Sequence, residues 1–137
     1  MTRACWEERR TRMRMPPRAV AQALRGLITN AQDASMGEER VSVRGAVEGD
    51  RARIEVVDSG GGMSPEVLAR VCEPFFTTKP PGRGMGLGLY LTRAVVESLG
   101  GDIHIESEMG KGTKVALELP TSFDLEANRE YVDGASV

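Results

Sequence analysis

From Gly82 to Gly88 every second residue is glycine, Gly82-Arg83-Gly84-Met85-Gly86-Leu87-Gly88, and the run stops where a helical pattern starts. Leu89, Thr92, Val96 and Leu99 recur at the three- and four-residue spacing of an inward helical stripe, and Gly100-Gly101 ends it. The chain must therefore hold nearly bare backbone against the start of a packed helix. Exposed N–H groups at such a place make a ready site for a phosphate group. A flexible linker is the competing reading, but linkers do not usually run straight into a strongly amphipathic helix. The run is not the dinucleotide-binding GxGxxG, because the sixth position is leucine whether counted from Gly82 or from Gly84. Nor is Gly110-Lys111-Gly112-Thr113 a P-loop, since glycine stands where a hydroxyl residue should follow the lysine.

Upstream, Thr11-Arg12-Met13-Arg14-Met15 alternates polar and apolar residues and predicts a half-buried strand. Pro16-Pro17 ends it and opens a helix, along which Val20, Leu24, Leu27, Ile28 and Ala31 form one buried stripe, running out near Ser35 to Gly37. Val41–Val47 and Arg53–Val57 read as paired strands across a turn at Glu48-Gly49-Asp50. Ser64 caps a short helix begun by Pro65, with Val67, Leu68 and Val71 inward. Asp102–Ser107 and Thr113–Leu119 alternate as a closing strand pair, with Ile103 and Ile105 facing one way and Val115, Leu117 and Leu119 likewise. Strands paired locally with helices between them predict an α+β two-layer sandwich, a mixed sheet covered on one face by helices. Residues 121–137 read as a polar tail.

Composition narrows the function classes. A chain of 137 residues suits one domain, and 40% hydrophobic with 28% charged residues is ordinary for a globular protein. A net charge of -2 gives no basis for general nucleic-acid binding. No apolar stretch approaches the roughly 20 residues of a membrane span. With Cys5 and Cys72 far apart and His104 the one histidine, no zinc spacing exists. Cys72 reads as a small core residue of a helix.

Three further features fit chemistry better than folding. Asn30 and Asp33 lie one turn apart on the first helix, so both can address one ligand, and their oxygens suit Mg²⁺. Asp58 ends a strand on the same face as Ile54 and Val56, where a carboxylate needs a donor partner, and Ser59-Gly60-Gly61-Gly62 follows it. Pro74-Phe75-Phe76-Thr77-Thr78-Lys79 sets two aromatics beside hydroxyls and a cation, able to anchor a loop while Lys79 meets a phosphate. Each alone has a bland alternative: a solvated helix face, a plain turn, core packing.

Their order and spacing are specific. Asn30 in LITNAQDAS, Asp58 in DSGGGM, the PFFTTK run, GRGMGLGL and the final GKGT resemble the N box, first glycine box, F box, second glycine box and last glycine box of the GHKL superfamily over residues 11–120. The likeness is closest to bacterial two-component sensor histidine kinases, and the PPRA and PGRGMGLGL segments are similar to those of redox-responsive sensor kinases. The resemblance implies a Bergerat ATP-binding fold with a mobile lid over about Thr77–Gly86. It implies that Asn30 holds Mg²⁺, with Asp33 and Ala34 beside it, and that Asp58 takes the adenine amine. Gly60 and Gly62 would then allow close approach to the base, Thr113 would lie near the adenine pocket close to Asp58, and Met63 is expected among the ATP-binding residues. Gly84, Gly86 and Gly88 would lie around the phosphates, Lys79 and Arg83 are candidate phosphate contacts, and Thr77, Thr78, Met85 and Leu87 are expected with them among the ATP-binding residues.

One departure matters. The hydrolysing members of the superfamily carry a glutamate four residues before the N-box asparagine, and many histidine kinases carry a second asparagine there; here the position is Gly26, which cannot act as a base. The expected activity is therefore transfer of the γ-phosphoryl group to a histidine, not efficient hydrolysis. His104 reads as an exposed strand residue, so the acceptor histidine is expected on a separate dimerisation domain, with residues 1–10 as the connecting linker and a response regulator downstream. The resemblance further implies a cytoplasmic domain without membrane contact of its own, in a parent that is membrane-anchored or soluble. The alternatives are a free-standing kinase of the anti-sigma type acting on protein serine, and a nucleotide-binding module without chemistry.

Overall fold

The structure is a computed structural model and describes residues 14–35, 41–78 and 88–122. Helix α1, Pro17–Ala34, starts on Pro16 without a side-chain cap, which prolines tolerate because they carry no N–H to satisfy. Ala23, Leu27 and Ala31, four apart, form its buried stripe, with Val20, Leu24 and Ile28 packed on the flank. The Ser35 hydroxyl donates to the Ala31 carbonyl (2.9 Å) and closes the last turn.

Strands β1 (Ser42–Glu48) and β2 (Arg51–Asp58) make a hairpin through Gly49, whose φ of +59° suits glycine at the bend. Helix α2, Pro65–Arg70, is capped as expected: the Val67 N–H donates to the Ser64 hydroxyl (3.3 Å). Val67, Leu68 and Val71 are half-buried, not fully inward. Because α2 stops at Arg70, Cys72 lies in the turn beyond it and is half-buried, not a helical core residue as expected. Helix α3, Gly88–Ser98, ends in a Schellman motif: Gly101 N–H donates to Val96 C=O (2.9 Å) and Gly100 N–H to Glu97 C=O (3.0 Å), with Gly100 at φ +77°. Strands β3 (Asp102–Glu108) and β4 (Gly112–Pro120) complete the sheet.

The strand order is β1-β2-β4-β3, every pair antiparallel. Parallel pairing is confined, among the described residues, to one bridge between Arg14 and Ser122, where Arg14 N–H donates to Thr121 C=O (3.0 Å). Of the strand expected over Thr11–Met15, residues 11–13 lie outside the described residues.

Strand alternation gives the sheet two unlike faces. Ala52, Val56, Val115, Leu117 and Leu119 turn toward α1 and α3, and with Leu27, Ala31, Val96 and Leu99 they make the core. Each of the leucines and valines among them contributes about 1.5–3 kcal/mol by leaving water, and the alanines less. The opposite face carries Arg53 between Glu55 (2.9 Å) and Glu118 (2.8 Å), and Lys114 near Glu55 and Glu106. The Glu55 carboxyl is held below its ordinary value, first by the hydrogen bond from Arg53, against the opposing effect of burial, and then by Lys114. His104 and Glu106 are exposed on this face, as expected. Among the described residues no helix is long and apolar enough to cross a membrane.

Candidate functional site

The helix layer leaves one end of the sheet open, where β2 finishes at Asp58. A cavity of about 660 Å³ occupies that end, walled by α1, α2, the start of α3 and the segment after α2. Leu27, Ala31, Val56, Ile105 and Val115 make its apolar part; Asn30, Asp33, Asp58, Thr77, Thr78 and Thr113 supply polar groups. That volume and lining suit a small-molecule ligand.

Asp58 reaches this place because it is the last residue of β2 on the helix-facing side, in line with Ala52, Ile54 and Val56. It is only 7% exposed. Its Oδ1 accepts the Gly60 N–H (2.9 Å), which leaves Oδ2 as the oxygen the loop does not engage. Across β4 it stands opposite Thr113, and Thr113 stands opposite Ser107 on β3.

The loop after Asp58 is pressed between neighbours. A side chain on Gly60 would run into the carbonyl of Ala34, at the end of α1, and one on Gly62 into the carbonyl of Glu108. Gly62 also has φ +68°, a conformation open to glycine. Gly110 N–H donates to Gly61 C=O (2.8 Å), so the β3–β4 turn clamps the loop from the other side.

Of the residues expected at the site, Asn30, Asp33, Ala34, Asp58, Gly62, Met63, Thr77, Thr78 and Thr113 all line the cavity. Gly60 does not; it supports the loop from behind, and Gly61 takes its place on the wall. Gly88 starts α3 beside Asn30, at 3.6 Å from its Nδ2 for an added Cβ. Lys79, Arg83, Gly84, Met85, Gly86 and Leu87 lie outside the described residues, as does most of the expected lid. The two phenylalanines part company: Phe76 lines the cavity with Arg70 over its ring (4.6 Å), whereas Phe75 is 70% exposed at φ +66°.

Gly26 is not on the cavity wall. It faces α3, where an added Cβ would sit 3.6 Å from the Thr92 hydroxyl, in ordinary contact. Asn30 and Gly26, one turn apart, thus oppose Gly88 and Thr92, one turn apart on α3. Sequence reasoning missed Ser107, which the β3–β4 register brings behind Thr113 and which no local pattern marks.

An antiparallel sheet with one helix layer, open at a strand end that carries a buried carboxylate and a glycine loop, defines a ligand-binding α+β sandwich. The chain belongs to the family of histidine kinase-, DNA gyrase B- and HSP90-like ATPases, whose model matches residues 15–122. It is 35% identical over 116 residues to the two-component sensor PprA of Pseudomonas aeruginosa, covering 77% of this chain and 12% of that protein. Its fold is similar to that of the mycobacterial sensor histidine kinase MprB, at 27% identity and a TM-score of 0.70, over 80% of this chain and 75% of the other. It is similar also to full-length ShkA in complex with AMPPNP, at 29% identity and a TM-score of 0.64, over 77% of this chain and 22% of the other. The chain spans between 9% and 26% of the length of the curated relatives it matches.

Proposed function

We propose that this chain binds MgATP and supplies its γ-phosphoryl group to a histidine on a separate dimerisation domain, as the catalytic part of a cytoplasmic two-component sensor kinase. The observation that carries the reading is Asp58: a buried carboxylate, one oxygen fixed by Gly60 N–H and the other left for a donor in a cavity of about 660 Å³. An adenine amine is such a donor. Gly61 and Gly62 present bare backbone where a flat base would lie.

The metal fit is a partial cradle. Asn30 and Asp33 both line the cavity, and an amide oxygen and a carboxylate are suitable hard ligands for Mg²⁺. Among the described residues no group of three or more His, Cys, Asp or Glu could hold a metal. A Mg²⁺ held by one or two protein oxygens, with phosphates and water completing its shell, is what such a site would take. When bound, the ion neutralises phosphate charge.

The chain's own residues would then bind and orient. Asp58 accepts from the base, Gly62 lets it approach, and Asn30 directs its oxygen at the ion. Lys79 and Arg83, with Gly84 to Gly88, would neutralise and cradle the phosphates. No side chain at position 26 can activate water, and that position turns toward Thr92. Catalysis by positioning and charge neutralisation suits phosphoryl transfer to a nucleophile brought by another domain. The partner would be the histidine-bearing helical domain of a longer kinase, and a response regulator would take the phosphoryl group onward.

The test is calorimetric titration of the purified chain with ATP, with and without Mg²⁺, together with an assay of turnover. Magnesium-dependent binding with slow hydrolysis is expected, and phosphorylation of an added histidine-bearing dimerisation domain from the parent kinase. Rapid hydrolysis, or no binding of ATP, overturns the reading.

A further inference from the structure

Ser107 lies on β3, outside the cavity wall, at the centre of a set of three close polar contacts. The Met63 N–H donates to its Oγ (2.8 Å), the Gly112 carbonyl lies 3.1 Å away, and the Thr113 hydroxyl lies 2.8 Å away. A serine hydroxyl has one proton and two acceptor lone pairs. The carbonyl of Gly112 can only accept, so all three contacts are hydrogen bonds at once only when the Ser107 proton goes there. Met63 N–H fills one lone pair, and the remaining contact closes only if Thr113 donates to the other. The Thr113 proton is thereby turned away from the cavity that Thr113 lines. Toward a ligand Thr113 offers lone pairs alone, beside the Asp58 carboxylate opposite it on β2.

We propose that Ser107 is a positioning residue that fixes Thr113 as a hydrogen-bond acceptor, and so makes this wall select a purine bearing an exocyclic amine over one bearing a carbonyl at that place. The proposal rests on the nucleotide reading above. Without the Ser107 hydroxyl, Thr113 rotates freely and can donate to a carbonyl, so discrimination falls while the shape of the cavity is kept.

The test measures binding of ATP and of inosine triphosphate, which carries a carbonyl in place of the amine and an N–H in place of the neighbouring ring acceptor, to the full chain. The set comprises wild type, Ser107→Ala, Ser107→Thr, Thr113→Val and the double variant Ser107→Ala/Thr113→Val, with Tm as the check on folding. The wild type should prefer ATP, and Ser107→Ala should reduce the ATP-to-inosine preference roughly tenfold, the scale of one hydrogen bond. Ser107→Thr, which retains the hydroxyl, should keep the wild-type ratio. Thr113→Val should lower the ratio too, and adding Ser107→Ala to it should lower it no further. Wild-type ATP binding with an unchanged ratio in Ser107→Ala overturns the proposal alone. So does an equal drop in the Thr113→Val background, because Ser107 would then act through Met63. If Ser107→Ala does not fold, a wild-type ratio in Thr113→Val overturns it. A wild type that binds neither nucleotide overturns the nucleotide reading, and this inference with it.

Discussion

Asp58 at the end of β2 and Thr113 near the start of β4 face each other across an antiparallel pair, and both open onto the same cavity. The strand register holds them, so their separation does not depend on a loop. Asp58→Asn should leave that frame intact, because an asparagine oxygen can still accept the Gly60 N–H. The amide NH₂ would then meet the amine of a base as donor against donor. Loss of a charge-assisted hydrogen bond predicts about 1.5–3 kcal/mol, or roughly ten- to hundredfold weaker ATP binding, with Tm little changed. Titration calorimetry beside a thermal melt separates the two effects.

Gly60 and Gly61 should respond in opposite ways to the same change. Gly60→Ala drives a methyl group into the Ala34 carbonyl, which cannot swing away, and should cost about 1–3 kcal/mol in a urea melt. Gly61→Ala meets nothing within 4 Å and should stay within about 0.5 kcal/mol of wild type. Its methyl group points to no neighbour, yet Gly61 lines the cavity, so ligand affinity is where its effect should appear. Equal stability of the two variants would contradict the packing described for the loop.

Gly26→Ala should stabilise the chain by about 0.4–1 kcal/mol, since glycine inside a helix carries extra unfolded-state entropy and the new methyl finds ordinary contact with Thr92. Nucleotide affinity should not move, because Gly26 lies off the cavity wall. A lowered Tm would mean that α1 and α3 are closer than a methyl group permits.

The charged face of the sheet gives a pH dependence. Glu55 has its folded-state pKa lowered by Arg53, so its contribution is present above the ordinary carboxylate value of about 4.5 and is lost as pH falls through the lower folded value. Glu55→Gln should therefore be less stable than wild type at neutral pH and should lose less on acidification. Thermal melts of both proteins from neutral pH down through the carboxylate range test this; two parallel curves would show that the Arg53–Glu55 contact contributes nothing.

Much of the fold was readable because its signals are local. Prolines at 16 and 17 start α1, Ser64 caps α2, and Gly100-Gly101 stops α3, each through its own backbone chemistry. Two-residue alternation put Asp58 on the buried face without any knowledge of what covers it. Local signals failed where neighbours in sequence diverge in space. Cys72 lost its expected core place because α2 ends at Arg70, and its partial burial still pushes the thiol up from its ordinary value. Phe75 and Phe76 look alike in the chain, yet one faces solvent and the other the cavity.

The sequence by itself determined the elements, the buried carboxylate and the order of the site's segments, since helix stripes, strand alternation and capping all act within a few residues. Tertiary structure alone decided that Gly61, not Gly60, faces the cavity, that Gly26 packs on Thr92, and that Ser107 stands behind Thr113. The physical reason is that these relationships are set by strand register and helix packing, which join residues far apart in the chain and leave no periodic trace in either partner.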